Sequence, residues 1–213
     1  MKISVNINGV LRNVLLKFEE VYEKYEDKEV KSEVLTPNLM QYTHFNNEDE
    51  LYNFLYEEAP MEIFGQAKEM MNGVVSHLVE LYKEIPVDYK LRIVSDDLGR
   101  GKSATLWFLA KYGLVCDEIV FYNTESLNNL WEDTDVFITS DIDVIESKPK
   151  DKKLIIIDQS YNTSYDCDLR IDTVCNTVDD IDDNLGIISL NKLPVSSKIA
   201  INTLIKYNII KKL

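Results

Sequence analysis

The sequence predicts an α/β fold: a parallel, Rossmann-like sheet flanked by helices, with a helical insertion after the first strand. Three observations carry this. Leu91-Arg92-Ile93-Val94-Ser95, Glu118-Ile119-Val120-Phe121-Tyr122, Asp135-Val136-Phe137-Ile138-Thr139 and Lys153-Leu154-Ile155-Ile156-Ile157 carry short apolar runs of the length expected for strands buried on both faces. Segments of helical periodicity separate them, which is the alternation of repeated β-α units. A long stretch of helical spacing lies between an N-terminal strand and the first of these runs.

The chain opens on that N-terminal strand. Ile3, Val5 and Ile7 alternate with short polar residues and Gly9 ends the run, so a strand delivers a loop to the edge of the sheet. Val14, Phe18, Val21, Tyr22 and Tyr25 then fall at helical spacing over about four turns. The charged run Glu26-Asp27-Lys28-Glu29 breaks the pattern and reads as a solvated connector. Pro37 bars a regular helix from 30–47, and Asn46-Asn47 supplies a cap for a helix carrying Leu51, Phe54 and Leu55. Pro60 opens a further helix, expected from Met61 to about Ile85 with a weak point at Asn72-Gly73 and stopped by Pro86. Its stripe of Ile63, Phe64, Ala67, Met70, Met71, Val74 and Leu78 is core for helix packing. Residues 15–86 are therefore read as a helical insertion, and 1–14 with 87–213 as the α/β core.

After the strand ending at Ser95, Leu106, Phe108, Leu109 and Tyr112 fall on a helix closed by Gly113. A short helix is expected around Leu127 to Trp131, outer strands at Leu169–Val174 and Gly186–Leu190, and a closing helix over 194–213.

Charge and composition narrow the function classes. Lys+Arg 23 against Asp+Glu 37 gives a net charge of −14, which disfavours nonspecific attraction to nucleic acid or anionic membranes. No segment approaches the roughly 20 consecutive apolar residues of a membrane span, and no apolar signal core opens the chain. The expectation is an intracellular protein. Cys116, Cys167 and Cys175 lack metal-ligand spacing and read as free thiols, and His44 and His77 stand apart from any ligand pattern. Abundant Asn, Ile, Lys and Tyr with scarce Gly match AT-rich genomes, including many phages.

The chemistry should sit on the first loop, Asn6-Ile7-Asn8-Gly9-Val10-Leu11-Arg12-Asn13. This stretch resembles the opening motif of haloacid dehalogenase-like (HAD) phosphatases, a strand followed by Asp-x-Asp-Gly-(Val/Thr)-Leu-x-Asp. Gly9, Val10 and Leu11 match in place; Asn6, Asn8 and Asn13 stand where the family has Asp. The resemblance implies that the first acid would attack phosphorus, the second act as acid/base, and both help hold Mg²⁺. A neutral amide is a poor nucleophile and brings no charge to a metal. The resemblance also places Ser95 in a phosphoryl-holding slot and Lys102 as the neutralising cation. It sets Thr139 and Ser140 on the last acidic pair, with Asp141 one residue late and a weak candidate metal ligand. The deoxyribonucleotidase-like branch is the nearest, through Pro149, the strand Leu154 to Ile157, and Tyr161-Asn162.

Two further stretches bear on other chemistries. Gly99-Arg100-Gly101-Lys102-Ser103 after a strand approaches a phosphate-binding P-loop, but its first Gly would fall at Asp96, whose charge opposes a phosphate cradle. The runs Asp179-Asp180-Ile181-Asp182-Asp183 and Glu57-Glu58 lack the alternation and Gly of a calcium loop.

The sequence thus leads to a catalytically inactive HAD-like protein that binds other proteins, without a cofactor, as a phage virion or assembly component in a multi-subunit portal, neck or tail ring. The alternatives are a surviving Mg²⁺-dependent nucleotidase using Asp141, Asp96 or Asp97, and a phosphate or nucleotide sensor built on Ser95 and Lys102.

Overall fold

The computed structural model describes residues 1–84 and 86–171. The expected strands pair into one sheet, all parallel, in the order β3-β2-β1-β4-β5-β6. They are β1 (Lys2–Asn6), β2 (Lys90–Ser95), β3 (Glu118–Phe121), β4 (Val136–Thr139), β5 (Lys153–Ile157) and β6 (Leu169–Ile171). Val5 of β1 sits opposite Ile93 of β2 on one side and Ile138 of β4 on the other. Ile3, Val5, Ile93, Val94, Phe137 and Leu154 to Ile156 are all buried, as strands covered on both faces require. Each such aliphatic side chain contributes roughly 1.5–3 kcal/mol by leaving water.

Strand order reverses at β1, so the crossovers to β2 and β4 leave in opposite directions. A crevice opens there, beyond the carboxyl end of β1, where open α/β sheets bind ligands.

The helices are α1 (Val14–Glu26), α2 (Glu48–Asn53), α3 (Val74–Glu84), α4 (Gly101–Lys111), α5 (Leu127–Glu132) and α6 (Ile142–Glu146). Asn13 caps α1 by accepting the Leu16 N–H, and Asn47 caps α2 by accepting that of Glu50. Two π-helical turns, Phe54–Glu58 and Met61–Gly65, follow α2. Phe18, Tyr22, Phe54, Leu55, Ile63 and Phe64 form a separate aromatic-rich core over the carboxyl end of the sheet, touching α4 at Ala104.

The helix expected from Met61 to about Ile85 is two pieces instead. Between them the chain pairs back onto the first loop: Asn13 N donates to Lys68 O at 3.0 Å and Met70 N to Leu11 O at 2.8 Å. Those bonds compete with helix continuation, and Gly73 turns the chain at φ +82° before α3 begins. Val75 and Leu78 of α3 join the core of the sheet, not the aromatic core above it. On α4 the buried positions are Gly101, Ala104, Thr105, Phe108 and Leu109, while Leu106, expected inside, is exposed. Helix α6 was not foreseen from the sequence. The expected strand Gly186–Leu190, the closing helix over 194–213, Cys175 and the acidic run 179–183 lie outside the described residues. No described helix is long and apolar enough to cross a membrane.

Candidate functional site

Asn6 is the last residue of β1, at the point where strand order reverses, and is 1% exposed. Beyond it the chain turns tightly: Leu11 N and Arg12 N both donate to Ile7 O, and Gly9 N to Arg12 O. Gly9 has φ +72°, and a Cβ there would lie 2.2 Å from Ser140 Oγ, so glycine is required twice over.

Asn6 Nδ2 donates to the Tyr122 hydroxyl at 2.8 Å and to Thr139 Oγ1 at 3.3 Å. The Tyr122 hydroxyl donates its single proton to Asp141 Oδ2 at 2.5 Å, so towards Asn6 it can only accept. This chain of donors fixes which way the amide faces. Asn6 Oδ1 is left buried and without a hydrogen-bond partner among the described residues.

Asn8 is fully committed. Its Nδ2 donates to Asp96 Oδ1 at 2.8 Å and Asp97 Oδ1 at 3.1 Å, and its Oδ1 accepts from Arg12 Nε at 3.0 Å and Nη2 at 2.6 Å. Arg12 is completely buried, with its guanidinium over the rings of Phe64 and Phe108. Its remaining donors go to Phe64 O, Thr105 Oγ1 and Asp97 Oδ2, so every guanidinium N–H is used. Asp97 in turn accepts from Arg12, the Ser95 hydroxyl at 2.7 Å and the Thr105 hydroxyl.

Burial opposes charge on Asp97, but the Arg12 guanidinium and the hydroxyls of Thr105 and Ser95 overcome it and hold its pKa below the ordinary value. Asp96 goes the other way. Its carboxylate is accessible from the crevice yet surrounded by protein, and this, with repulsion from Asp97 and Asp141, pushes its pKa up to about 7. Asp141 is raised by burial against the opposing hydrogen bond from Tyr122.

These groups floor a pocket of about 190 Å³ between the sheet and the aromatic core above it. Asn6, Asn8, Asp96 and Asp141 lie on the polar side, and Phe18, Leu55, Tyr56 and Phe64 on the apolar side. Tyr161, from the expected Tyr161-Asn162 pair, also lines it, while Asn162 is buried and holds the turn after β5 by donating to Ile157 O.

The structure therefore gathers Asn6, Asn8, Asp96, Asp97 and Asp141. Asn13 also lines the pocket, but its side chain caps α1. Ser95 and Lys102 are not brought together: Ser95 is buried on Asp97, whereas Lys102 is exposed with Nζ 5.4 Å from the centre of the Phe121 ring, and neither lines the pocket. Sequence reasoning missed Arg12, Thr105 and Tyr122. Arg12 carried a signal, since it is the only cation in a loop otherwise built of neutral polar and apolar residues.

No protein-family model matches the chain, and no curated protein matches it. Among solved structures, a protein described as a haloacid dehalogenase-like hydrolase, from Burkholderia xenovorans LB400, is similar at 11% identity, covering 80% of this chain and 91% of that one with a TM-score of 0.50. A structure of a Pnkp1/Rnl/Hen1 complex matches at 13% identity and a TM-score of 0.38 over 68% of this chain, which spans 41% of that one. The fold is thus a Rossmann-like α/β fold, similar to that of the Burkholderia protein.

The HAD resemblance implies Mg²⁺, and the residues at the end of β1 do not fit it. Mg²⁺ demands hard, mostly anionic oxygens in near-octahedral array. Asn6 offers a neutral oxygen, and the Asn8 amide is spent on Arg12. Asp141 uses Oδ1 to cap the Asp143 N–H at 2.9 Å and Oδ2 to accept from Tyr122. Among the described residues no group of three or more His, Cys, Asp or Glu side chains is arranged to hold a metal ion.

Proposed function

We propose that this chain is a noncatalytic HAD-like protein that works by binding and assembly, not by phosphoryl transfer. The observation that carries the reading is the Asn8–Arg12–Asp97 cluster. The position where an acid/base would be needed holds an amide whose donors and acceptor are all engaged, clamped by a buried guanidinium. Asn6, in the nucleophile's position, has no ionisable oxygen with which to form an acyl phosphate. Phosphoryl transfer depends chiefly on positioned charge, and the cation nearest this floor is neutralised by Asp97.

The role falls to the surfaces and the pocket, with other proteins as partners. The proposal includes a place in a phage virion or its assembly, supported by composition alone; recovery of the chain with a large particle in sedimentation would bear it out. A crystal soaked with Mg²⁺ and orthovanadate tests the noncatalytic reading. The expected outcome is an Asn8 amide still seated on Arg12 and no ion on Asn6. An octahedral ion bridging Asn6 Oδ1 and Asp141, with vanadate in line, overturns it.

A further inference from the structure

Helix α4 is apolar on two sides. Ala104, Phe108 and Leu109 face the core, yet Leu106, Trp107 and Ala110 on the outer side are exposed, Leu106 by 45% and Trp107 by 53%. A helix apolar all round is ordinarily buried all round. Met61 of the second π-helical turn, 43% exposed, extends the patch. A Cβ on buried Gly65 would lie 2.5 Å from Met61 Sδ and 3.0 Å from Trp107 Cδ1, so both side chains close over that glycine. An exposed apolar patch with a Trp at its centre is the usual mark of a protein interface.

The charges around the patch say what covers it. In a chain of net charge −14, α4 carries Lys102 and Lys111 and no acid. Both lysines are exposed, lie near the rings of Phe121 and Tyr112, and make no ion pair among the described residues. Helix α2 has the opposite character. Its exposed Glu48 and Asp49 stand one turn before Tyr52, which is 43% exposed and has its ring centre 4.9 Å from that of Tyr56. The two patches adjoin: the Arg100 guanidinium donates to Glu57 O at 2.9 Å, and a Cβ on Gly99 would lie 3.5 Å from the Tyr52 hydroxyl.

A basic apolar patch beside an acidic aromatic one is complementary to itself under a two-fold rotation. The rotation lays α4 of one copy on α2 of the other twice over, and opposite charges meet at both contacts. Packing α4 on α4 would instead set lysines against lysines. We propose that the chain forms a two-fold dimer through these surfaces, with Trp107 and Tyr52 as apolar anchors and Lys102 and Lys111 opposite Glu48 and Asp49. The inference rests on the assembly role proposed above and deepens it by naming the partner as a second copy of this chain.

Sedimentation equilibrium of the full chain tests it. Wild type should dimerise with a Kd of about 10 μM or tighter. Lys102→Glu with Lys111→Glu, and separately Glu48→Lys with Asp49→Lys, should each weaken the dimer at least about tenfold. Mixed in equal amounts, the two variants should dimerise with each other about as well as wild type, because both contacts then pair opposite charges again. All four positions are exposed; should a variant fail to fold, Trp107→Ser, expected to weaken the dimer about tenfold, keeps the test. A wild type still monomeric at about 100 μM overturns the proposal. So does a dimer indifferent to both charge reversals, or two monomeric variants that stay apart when mixed. A monomer without phosphatase turnover leaves the noncatalytic reading standing, whereas turnover by a stable dimer overturns that reading alone, so the two failures are distinct.

Discussion

Arg12 Nη2 lies 2.5 Å from Asp97 Oδ2, and the two side chains are 0% and 1% exposed. An ion pair this deep holds together because every donor on the guanidinium is met. Removing one partner leaves a charge with no water to solvate it.

Arg12→Met is therefore expected to destabilise the fold by about 3–5 kcal/mol, the usual cost of orphaning a buried charge. Arg12→Met combined with Asp97→Leu should recover part of that loss, because no unpaired charge remains. Urea denaturation of both variants checks this. A single variant within about 0.5 kcal/mol of wild type would contradict the reading.

Asp96 gives a pH dependence of defined sign. Its folded pKa of about 7 lies above the ordinary 3.8, so the folded chain retains a proton that the unfolded chain has lost. Its effect is absent at about pH 4 and becomes a full penalty above about pH 7. Asp97 shifts in the opposite direction, but it and Asp141, Tyr56, Tyr122 and Tyr161 are common to wild type and variant. Asp96→Asn should be more stable than wild type at pH 8 by about 1 kcal/mol, reduced from the full linkage value because the carboxylate reaches water. The gain should vanish near pH 4. Melting curves at the two pH values check it, and an equal gain at both would refute the assignment.

Gly9→Ala places a Cβ 2.2 Å from Ser140 Oγ on a residue at φ +72°. Strain and collision together should cost about 2 kcal/mol or more and shift the loop carrying Asn8. Chemical-shift changes spreading to Ser140 and Asp141 are the expected signature.

Phe54 is 1% exposed and touches the rings of Phe18, Tyr22, Tyr25 and Phe45. Phe54→Ala should cost about 3–5 kcal/mol. Hydrogen exchange should quicken first in α1 and α2, with the strands least affected, if the aromatic core is a unit apart from the sheet.

The central strands β2, β4 and β5 were legible because each carries a short apolar run of strand length, and β1 because its apolar residues alternate. Caps were legible for the same local reason: Asn47 precedes an acidic first turn, and its side chain does accept the Glu50 N–H. The break after Gly65 was not, because residues 66–73 carry helical spacing and are held off the helix by pairing with Leu11 and Asn13, which only the fold brings near. Thr105 illustrates the same limit at the site. Its hydroxyl faces inward to link Arg12 and Asp97, while Leu106 beside it faces solvent, an inversion no hydropathy pattern announces. Asn6, Asn8 and Asp141 were singled out through the resemblance to the HAD motifs, whereas Tyr122, which ties Asn6 to Asp141, lies on no motif.

The central claim is that β1 ends in amides without phosphate-cleaving chemistry. Phosphate release from deoxynucleoside monophosphates and 4-nitrophenyl phosphate, measured with Mg²⁺ for wild type and Asn6→Ala side by side, tests it most directly. Both proteins are expected to match the protein-free background; turnover by wild type that disappears in Asn6→Ala would contradict the noncatalytic reading.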